Sequence, residues 1–482
     1  MHKRTIIYLL GWVLIIEGMS MQLSTLVGLY YGEGDYIYFL IIGLALAALG
    51  AVTVLLKPKG KIVMYLRDGF AATALSWCLL SAAGCLPFVF SGAIPNFADA
   101  LFEMVSGFTT TGASVVPKVE ELSNCMNFWR CFSNWLGGMG VLVFLLALIP
   151  KLGISQNINI MKAESPGPIV AKSMPKIRNY AAFLYIIYIG LTILEFLFLI
   201  LGGMGGFDAV NTCFATAGTG GFGIRNNNIA AYDSYYLQTV IAVFMLLFGI
   251  NFTFYILLIT KKFSQAIKIH EVFVYLAIVA VCTGVIALNI SSVYSDPYEA
   301  FHQSFFYVSS IITTTGFGIT DVNMWPELAK TIIVIITFIG ACAGSTGGGF
   351  KVSRVIILFK EVKKEISLIV HPRNVKAVSV GGKIVKHGTL RSVSTFLVVY
   401  IGIFALSMII VAADNFDFTT TFTSVAATLN NTGPGLGDVG TVGNYSAFSP
   451  ISKLVLSFDM LAGRLELFPL LILFSPSAWK KS

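Results

Sequence analysis

The stretch "FADALFEMVSGFTTTGAS", residues 97–114, decides the fold because it returns three more times along the chain. The related phrases are "FDAVNTCFATAGTGGFG" (207–223), "PYEAFHQSFFYVSSIITTTGFG" (297–318) and "FDFTTTFTSVAATLNNTGPGLG" (416–437). Each opens on an aromatic and an acidic residue, continues at helical amphipathic spacing, and ends in a glycine turn. The alignment places four glycines in register, 109, 95 and 117 residues apart: Gly112, Gly221, Gly316 and Gly433. We therefore expect four copies of one structural unit.

The composition places these units in a membrane. The 482 residues are 56% hydrophobic and only 12% charged, and the mean hydropathy is +0.81, whereas a soluble domain has about 25% charged residues. Several apolar runs exceed the ~18 residues typical of a transmembrane helix. They cover residues 6–29, 37–56, 181–201, 240–259 and 396–413. The sequence predicts an all-α integral membrane protein.

Each repeated phrase lies between two apolar spans. The preceding spans cover about 69–91, 180–203, 271–290 and 393–413, and the following ones about 129–150, 234–260, 327–359 and 450–475. A helix of about 12 residues cannot cross ~30 Å of hydrocarbon, so it must enter and return, which is tolerated only inside the protein or along a cavity. We expect about ten transmembrane helices and four re-entrant pore helices around a central pore. The predicted units are a two-span hairpin (1–60) and four pore repeats (61–151, 152–263, 264–366 and 367–482).

The net charge of +8 follows the expected topology. Of the 32 Lys and Arg residues, 26 lie in the two termini and in the segments 57–67, 151–178, 261–270 and 351–391. Loops between these segments are neutral or acidic, as the positive-inside rule requires. Both termini are predicted to be cytoplasmic, and the basic balance indicates no nucleic-acid partner.

The four turns have the composition of a cation filter. Glycine permits a positive φ and lets successive carbonyls turn to one side; rings of carbonyls replace the hydration shell of K⁺, and helix C-termini favour a cation. A single Thr-Thr-Gly would more simply be a helix-packing site, but four in register favour the filter. The candidate K⁺-binding residues are Thr110, Thr111, Gly112, Thr219, Gly220, Gly221, Thr314, Thr315, Gly316, Asn431, Thr432 and Gly433. Acidic residues at the predicted outer rim would attract cations: Glu120, Glu121, Asp321, Glu327 and Asp438.

Other functional classes are disfavoured. The stretch "AGTGGFGI" (217–224) matches G-x-G-x-x-G, but it follows an apolar helix rather than a strand, and the three parallel phrases lack the pattern. No C-x-x-C or H-E-x-x-H motif suggests zinc, and none of the five histidines pairs at catalytic spacing within a span, so we expect no enzyme. A disulfide between Cys125 and Cys131 remains open.

The turns resemble those of the TrkH/KtrB/HKT superfamily of cation transport proteins. The resemblance covers nearly the whole chain and rests on "GFTTTGAS", "ATAGTGGFG", "ITTTGFGITD" and "LNNTGPGLGDVG". It also includes "NWLGGMGVLVFLLALIP", "GACAGSTGGGFKVSRVIILFKE" and "DMLAGRLELFPLLILF", and the two extra N-terminal spans favour the TrkH branch over KtrB. It implies K⁺ uptake across the bacterial cytoplasmic (inner) membrane. Serine at the first filter glycine accompanies Na⁺ permeation in this superfamily, so Gly112 favours K⁺.

The stretch "CAGSTGGGFK", residues 342–351, interrupts an apolar span. Each glycine weakens a helix by about 1 kcal/mol relative to alanine, and Phe350 stands where a P-loop requires lysine. The segment is either a kink in a packed helix or part of the permeation path. The resemblance implies the second, an intramembrane loop that occludes the pore. The candidate gating residues are Gly344, Ser345, Thr346, Gly347, Gly348 and Gly349.

Arg464 is the second gating candidate. It is predicted to be the only basic residue deep in a span, where a charge is costly and needs a partner. Glu103, Glu195 or a loop carbonyl could serve, and the alternative to a functional role is a structural ion pair. The resemblance implies that Arg464 projects into the pore below the filter and forms an electrostatic barrier.

The partners follow from the basic segment 351–391, which carries ten Lys and Arg residues. Such a segment contacts anionic lipid or docks a soluble regulator. The resemblance implies a homodimer on a ring of TrkA-like nucleotide-binding subunits, so NAD or ATP would act on the partner and this chain would bind only K⁺. A symporter coupled to H⁺ or Na⁺ is the alternative, with Glu17, Glu103 and Glu195 as candidate coupling carboxylates.

Overall fold

A computed structural model describes residues 3–55, 65–140, 177–372 and 377–479 of the protein. The described chain is helical apart from one antiparallel hairpin of two-residue strands, β1 (Ser379–Val380) and β2 (Lys383–Ile384). The helices are α1 (Lys3–Tyr31), α2 (Tyr36–Leu55), α3 (Leu66–Gly84), α4 (Leu86–Ser91), α5 (Phe97–Phe108), α6 (Asn124–Gly138), α7 (Ile177–Leu201), α8 (Gly206–Gly218), α9 (Tyr235–Gly249), α10 (Phe252–Ile259), α11 (Phe263–Ala266), α12 (His270–Ile290), α13 (Pro297–Ile312), α14 (Glu327–Ile339), α15 (Val352–Val370), α16 (His387–Val411), α17 (Phe418–Leu429), α18 (Pro450–Arg464), α19 (Phe468–Leu471) and α20 (Pro476–Trp479).

The first two helices form the predicted hairpin because small residues let their backbones approach closely. A Cβ added to Gly18 would lie 2.3 Å from the carbonyl oxygen of Gly43, and one added to Gly50 would lie 2.5 Å from the carbonyl oxygen of Gly11. Both distances are far below van der Waals contact. Larger side chains at these positions would therefore separate α1 from α2.

Within the described ranges, six unbroken segments are long and apolar enough to cross a membrane: α1, α2, α3 with α4, α7, α12 and α16. They are the N-terminal pair and the first span of each repeat. The second span is broken instead in the second, third and fourth repeats. The second repeat bends by 88° between α9 and α10; irregular backbone separates α14 from α15 and α18 from α19; and α6 ends at Gly138, just before residues 141–176, which lie outside the described ranges.

The four short helices α5, α8, α13 and α17 are the predicted pore helices, with 12, 13, 16 and 12 residues. Three of them begin at a side-chain cap that accepts backbone N–H groups: Asn96, Asp296 and Asp417. Around them, two buried clusters form the main core. One joins the N-terminal hairpin with the first and fourth repeats, and the other joins the second and third repeats.

Parts of the topology prediction fall outside the described ranges. The basic segments 57–67 and 151–178 lie almost wholly in undescribed residues, and so do the C-terminal lysines. Cys125 and Cys131, for which a disulfide remained open, are both free thiols.

Candidate functional site

The four turns after the pore helices share one backbone pattern. The residue two before each aligned glycine has a left-handed φ, although none of the four is a glycine: Thr110 (57°), Thr219 (55°), Thr314 (61°) and Asn431 (56°). The aligned glycines also have a positive φ: Gly112 (81°), Gly221 (67°), Gly316 (80°) and Gly433 (88°). A left-handed residue other than glycine costs about 1–2 kcal/mol, so its recurrence at four matching positions indicates a functional constraint.

The turns close into a ring. A Cβ added to Gly112 would lie 2.2 Å from the carbonyl oxygen of Gly220 in the second turn, and one added to Gly221 would lie 1.9 Å from that of Thr315 in the third. The same relation continues from Gly316 to Thr432 (2.1 Å) and from Gly433 back to Thr111 (2.5 Å). Each aligned glycine thus faces the carbonyl of the residue just before the aligned glycine in the neighbouring turn. No side chain fits at any of the four positions.

The ring has only approximate four-fold symmetry. In the first and third turns, matching threonine hydroxyls bond each other at 2.8 Å, Thr109 with Thr111 and Thr313 with Thr315. In the fourth turn, Asn431 replaces threonine and donates its amide to the Thr111 hydroxyl (3.0 Å) and the Met460 carbonyl (2.8 Å). A side-chain hydrogen bond therefore joins the fourth turn to the first, and the third turn makes no matching bond among the described residues.

A buried ion pair joins the first turn to the second. Arg130 of α6 lies 2.7 Å from the carboxylate of Glu103 on the first pore helix, and both side chains are at most 1% exposed. Glu103 also accepts the backbone N–H of Val115 (2.9 Å), while Arg130 donates to the Gly223 carbonyl (3.2 Å) and stacks over the Phe222 ring at 4.4 Å. This pair fixes the two segments that leave the first and second glycines.

An outer vestibule opens above the ring and includes all four aligned glycines in its lining. Its charged lining residues are Arg130 and Arg225; none of the five predicted rim acids belongs to the described lining. Glu120 instead accepts from the Asn226 amide (3.0 Å), and Glu121 pairs with Lys118 (2.9 Å).

Arg225 does not leave an uncompensated charge at the vestibule. Its guanidinium pairs with Asp208 at 3.0 Å, and the Tyr232 hydroxyl donates to the same carboxylate at 2.8 Å. The hydrogen bond to Asp208 raises the pKa of Arg225. The guanidinium therefore stays charged, and this pair contributes little net charge to the vestibule.

The glycine-rich segment 344–349 lies directly beneath the ring. The Gly348 N–H donates to the Thr314 hydroxyl at 2.6 Å, and a Cβ added to Gly348 would lie 2.5 Å from the Asn430 carbonyl oxygen. A Cβ added to Gly347 would lie 2.8 Å from the Thr313 carbonyl oxygen. The segment thus touches the inner ends of the third and fourth turns, and a side chain at Gly348 would push it away.

Two neighbours hold this segment in place. The bend between α9 and α10 exposes backbone carbonyls that it uses: Cys342 N–H donates to Gly249 (3.1 Å), and the Thr346 hydroxyl donates to Phe248 (3.2 Å). The carboxylate of Glu271 accepts from the N–H groups of Ala343 (2.6 Å) and Ser353 (3.1 Å), one on each side. The break in the helix is thus satisfied by hydrogen bonds, as buried backbone requires.

Arg464 binds loop carbonyls, one of the three partners that the sequence left open. Its guanidinium donates to Thr346 (2.7 Å) in the glycine-rich segment and to Gly137 (2.5 Å) and Gly138 (2.8 Å) at the end of α6. It joins the third, fourth and first repeats just below the ring. Arg464 is partly exposed, whereas four other basic residues are at most 8% exposed: Arg130, Lys351, Arg354 and Lys453.

The backbone after Arg464 is strained. Glu466 and Leu467 have φ angles of 55° and 66°, and the Phe468 N–H donates to the Glu466 carbonyl at 2.8 Å, which closes a γ-turn of the rare hand around Leu467. Glu466 forms an ion pair with Arg354, the third residue of α15. The ion pair links the strained turn to the helix that follows the glycine-rich segment.

The three candidate coupling carboxylates differ in their surroundings. Glu103 is committed to Arg130, while Glu17 on α1 and Glu195 on α7 are buried without a hydrogen-bond partner among the described residues. None of the three borders the described vestibule.

Sequence reasoning missed three residues of this site: Arg130, Glu271 and Tyr445. Arg130, in "NFWRCFSNWL", had the same signal as Arg464, a charge inside an apolar stretch. Glu271 begins a span, where a carboxylate is common, and Tyr445 lies in a loop, so neither carried a signal.

Comparisons with known proteins identify the family and the overall fold. The sequence pattern of the TrkH family, described as cation transport proteins, matches residues 38–481. The Trk system potassium uptake protein TrkH of Escherichia coli K12 is 36% identical over the full length of both chains, and the TrkG protein of the same organism is 33% identical over 99% of both. The crystal structure of the potassium transporter TrkH from Vibrio parahaemolyticus superposes with a TM-score of 0.88 at 34% identity over both entire chains.

Proposed function

The chain belongs to the TrkH family of cation transport proteins, and we propose that it carries K⁺ into the cell through the ring of four turns. The full-length relatives are named potassium uptake proteins, and the protein is a multi-pass membrane transporter rather than an enzyme. K⁺ is its transported ion.

The observation that carries the filter assignment is a set of buried carbonyls without donors. Before the aligned glycines, the four turns contribute two inner rings of four carbonyls each. One ring consists of the carbonyls of Thr110, Thr219, Thr314 and Asn431, and the other of those of Thr111, Gly220, Thr315 and Thr432. No donor in the described part of the chain reaches any of these eight carbonyls. All eight residues are buried, and more than 90% of buried backbone carbonyls in proteins have a partner. A dehydrated K⁺ ion would supply the missing partner.

Selectivity for K⁺ depends on the close contact between neighbouring turns. A serine at position 112 would place its Cβ 2.2 Å from the Gly220 carbonyl oxygen and would displace it from the ring. We expect the same at the other three glycines, so all four are required for a K⁺-sized site.

The gate in this proposal is the glycine-rich segment with Arg464 below it. Its support is the contact of Gly348 with the third and fourth turns and the bond from Arg464 to Thr346. Opening requires these contacts to break. Deletion of residues 345–349 should raise ion flux, and unchanged flux from a well-expressed protein would contradict the gate.

The proposed assembly is a homodimer in the bacterial inner membrane with both termini cytoplasmic. Its support is an exposed apolar stripe on α15, formed by Phe359, Val362, Ile366 and Ile369, which a second copy would cover. We also propose that the basic segment 351–391 docks a TrkA-like regulator and that NAD or ATP acts on that subunit. Within the chain, we propose the division at residues 60, 151, 263 and 366, so that each of the four repeats contributes one turn.

A coupled symporter is the second candidate, favoured by the unpartnered buried carboxyls of Glu17 and Glu195. The two mechanisms differ in reversal potential. A channel follows the K⁺ gradient alone, whereas a symporter shifts with pH or with Na⁺.

The experiment that tests the proposal is ⁸⁶Rb⁺ uptake into proteoliposomes with K⁺, Na⁺ or Li⁺ as competitor. K⁺ should compete strongly and Na⁺ and Li⁺ weakly. Gly112→Ser should narrow the difference between K⁺ and Na⁺ because it displaces one ring carbonyl. Uptake that K⁺ does not compete, or equal competition by all three ions, would contradict the proposed function.

A further inference from the structure

The outermost ring, formed by the carbonyls of the four aligned glycines, differs from the two inner rings. The Tyr445 hydroxyl donates to the Gly433 carbonyl at 2.8 Å, and the Asn228 amide donates to the Gly221 carbonyl at 3.3 Å. Among the described residues, no donor reaches the carbonyls of Gly112 or Gly316. The outermost ring therefore has two committed carbonyls on opposite turns and two uncommitted ones.

The Tyr445 hydroxyl is held rigidly. The residue is 2% exposed, and its ring packs against Phe102 and Phe448 with centroids 5.4 and 5.5 Å away. Its backbone N–H donates to the Ser114 carbonyl at 2.8 Å, which anchors it beside the first turn while its hydroxyl reaches the fourth. Tyr445 also lines the outer vestibule, so its hydroxyl lies where an arriving ion first meets the ring.

Asn228 is the weaker of the two donors. Its amide bond to Gly221 is longer, its side chain is only partly buried, and its amide oxygen accepts the N–H of Ile229 at 2.9 Å. A bond near 3.3 Å at a partly hydrated site contributes less than one at 2.8 Å inside an aromatic pocket.

We propose that Tyr445, with Asn228 in a lesser part, is a positioning residue that sets the ion affinity of the outermost ring. This inference rests on the proposed function. A carbonyl that already accepts a hydrogen bond offers less electron density to a cation, so a K⁺ ion in this ring keeps part of its water. Dehydration is completed in the two inner rings, where all eight carbonyls are uncommitted. An ion is conducted only if it binds weakly enough to be released. The hydrogen bond from the Tyr445 hydroxyl weakens ion binding at the entrance.

The variant Tyr445→Phe isolates the hydroxyl because it retains the aromatic packing. The Gly433 carbonyl becomes uncommitted, the entrance binds ions more tightly, and the KM for ⁸⁶Rb⁺ uptake should fall about threefold to tenfold, as expected for one hydrogen bond. The maximal rate should stay level or fall because ions leave the tighter site more slowly. Asn228→Ala should shift the KM in the same direction by a smaller factor.

The matched control is Tyr236→Phe, which removes a hydroxyl that donates to the Phe198 carbonyl at 3.3 Å, outside the four turns and the glycine-rich segment. It should leave the KM unchanged. If K⁺ competes the uptake of the unmodified protein, an unchanged or raised KM in Tyr445→Phe would overturn this inference and leave the proposed function intact. A shared loss of maximal rate in both Tyr→Phe variants without a KM shift would assign Tyr445 a purely structural role and would also overturn it. Absence of K⁺-competed uptake in the unmodified protein would remove the proposed function and this inference together.

Discussion

Replacement of Arg464 by alanine tests the gate most directly. The guanidinium holds the glycine-rich segment through one bond to the Thr346 carbonyl (2.7 Å) and anchors itself on the carbonyls of Gly137 and Gly138. Arg464→Ala removes both the bond and the positive charge below the ring. We expect basal cation flux to increase.

The size of the increase follows from the bond to Thr346. A hydrogen bond from a charged donor contributes about 1.5–3 kcal/mol, and 1.36 kcal/mol corresponds to a tenfold change in population. Because Arg464 is partly exposed, the lower end applies. If flux is limited by the population with the segment displaced, it should rise about tenfold.

The assay is ⁸⁶Rb⁺ uptake into proteoliposomes, with melting temperature and size-exclusion profile as folding controls. Arg464→Lys keeps the charge, but one ammonium lacks the fork that joins Thr346 to α6, so its flux should be intermediate. Arg391→Ala removes an exposed arginine near the start of α16, away from the vestibule, and is the matched control. Decreased or unchanged uptake by a well-folded Arg464→Ala protein would refute the barrier.

Three further outcomes test other parts of the structure. Arg130→Ala leaves the Glu103 carboxylate buried without its cation, so the free energy of unfolding should fall by about 3–5 kcal/mol. A double variant that also carries Glu103→Leu should recover part of this loss in thermal melts. An equal loss of stability in the single and the double variant would contradict the pairing. Glu466→Gln weakens the link from the strained turn to Arg354 and should raise basal ⁸⁶Rb⁺ flux; unchanged flux would count against a role in gating. Gly18→Leu inserts a side chain 2.3 Å from the Gly43 carbonyl oxygen and should lower the melting temperature, whereas Met19→Leu on the exposed face should not.

The sequence predicted the repeat architecture well because membrane insertion leaves a strong signal. Apolar length and four phrases in register identified the spans, the pore helices and the aligned glycines. The predicted second spans of the second, third and fourth repeats, in contrast, are interrupted in the structure, and only the break at 342–351 was visible in the sequence. The bend after Gly249 lies in mostly apolar sequence that hydropathy cannot distinguish from a straight helix, and the left-handed turn after Arg464 gave no signal in the hydropathy.

The contacts of the site required the tertiary structure. The sequence allowed several partners for Arg464. Its bonds to the carbonyls of Thr346, Gly137 and Gly138 depend on how three repeats pack together. Tyr445 and Glu271 gave no local signal, because their partners are 12 or more residues away along the chain.

The sequence by itself determined the membrane class, the four-fold repetition and the register of the glycines, because these follow from local composition and from internal similarity. Only the tertiary structure decided that each glycine faces the carbonyl of the next turn and that the inner carbonyls lack protein donors. It also decided that two of the outermost carbonyls are held by Tyr445 and Asn228. Such contacts join residues that are distant along the chain, and their distances are set by the packing of all four repeats around one axis.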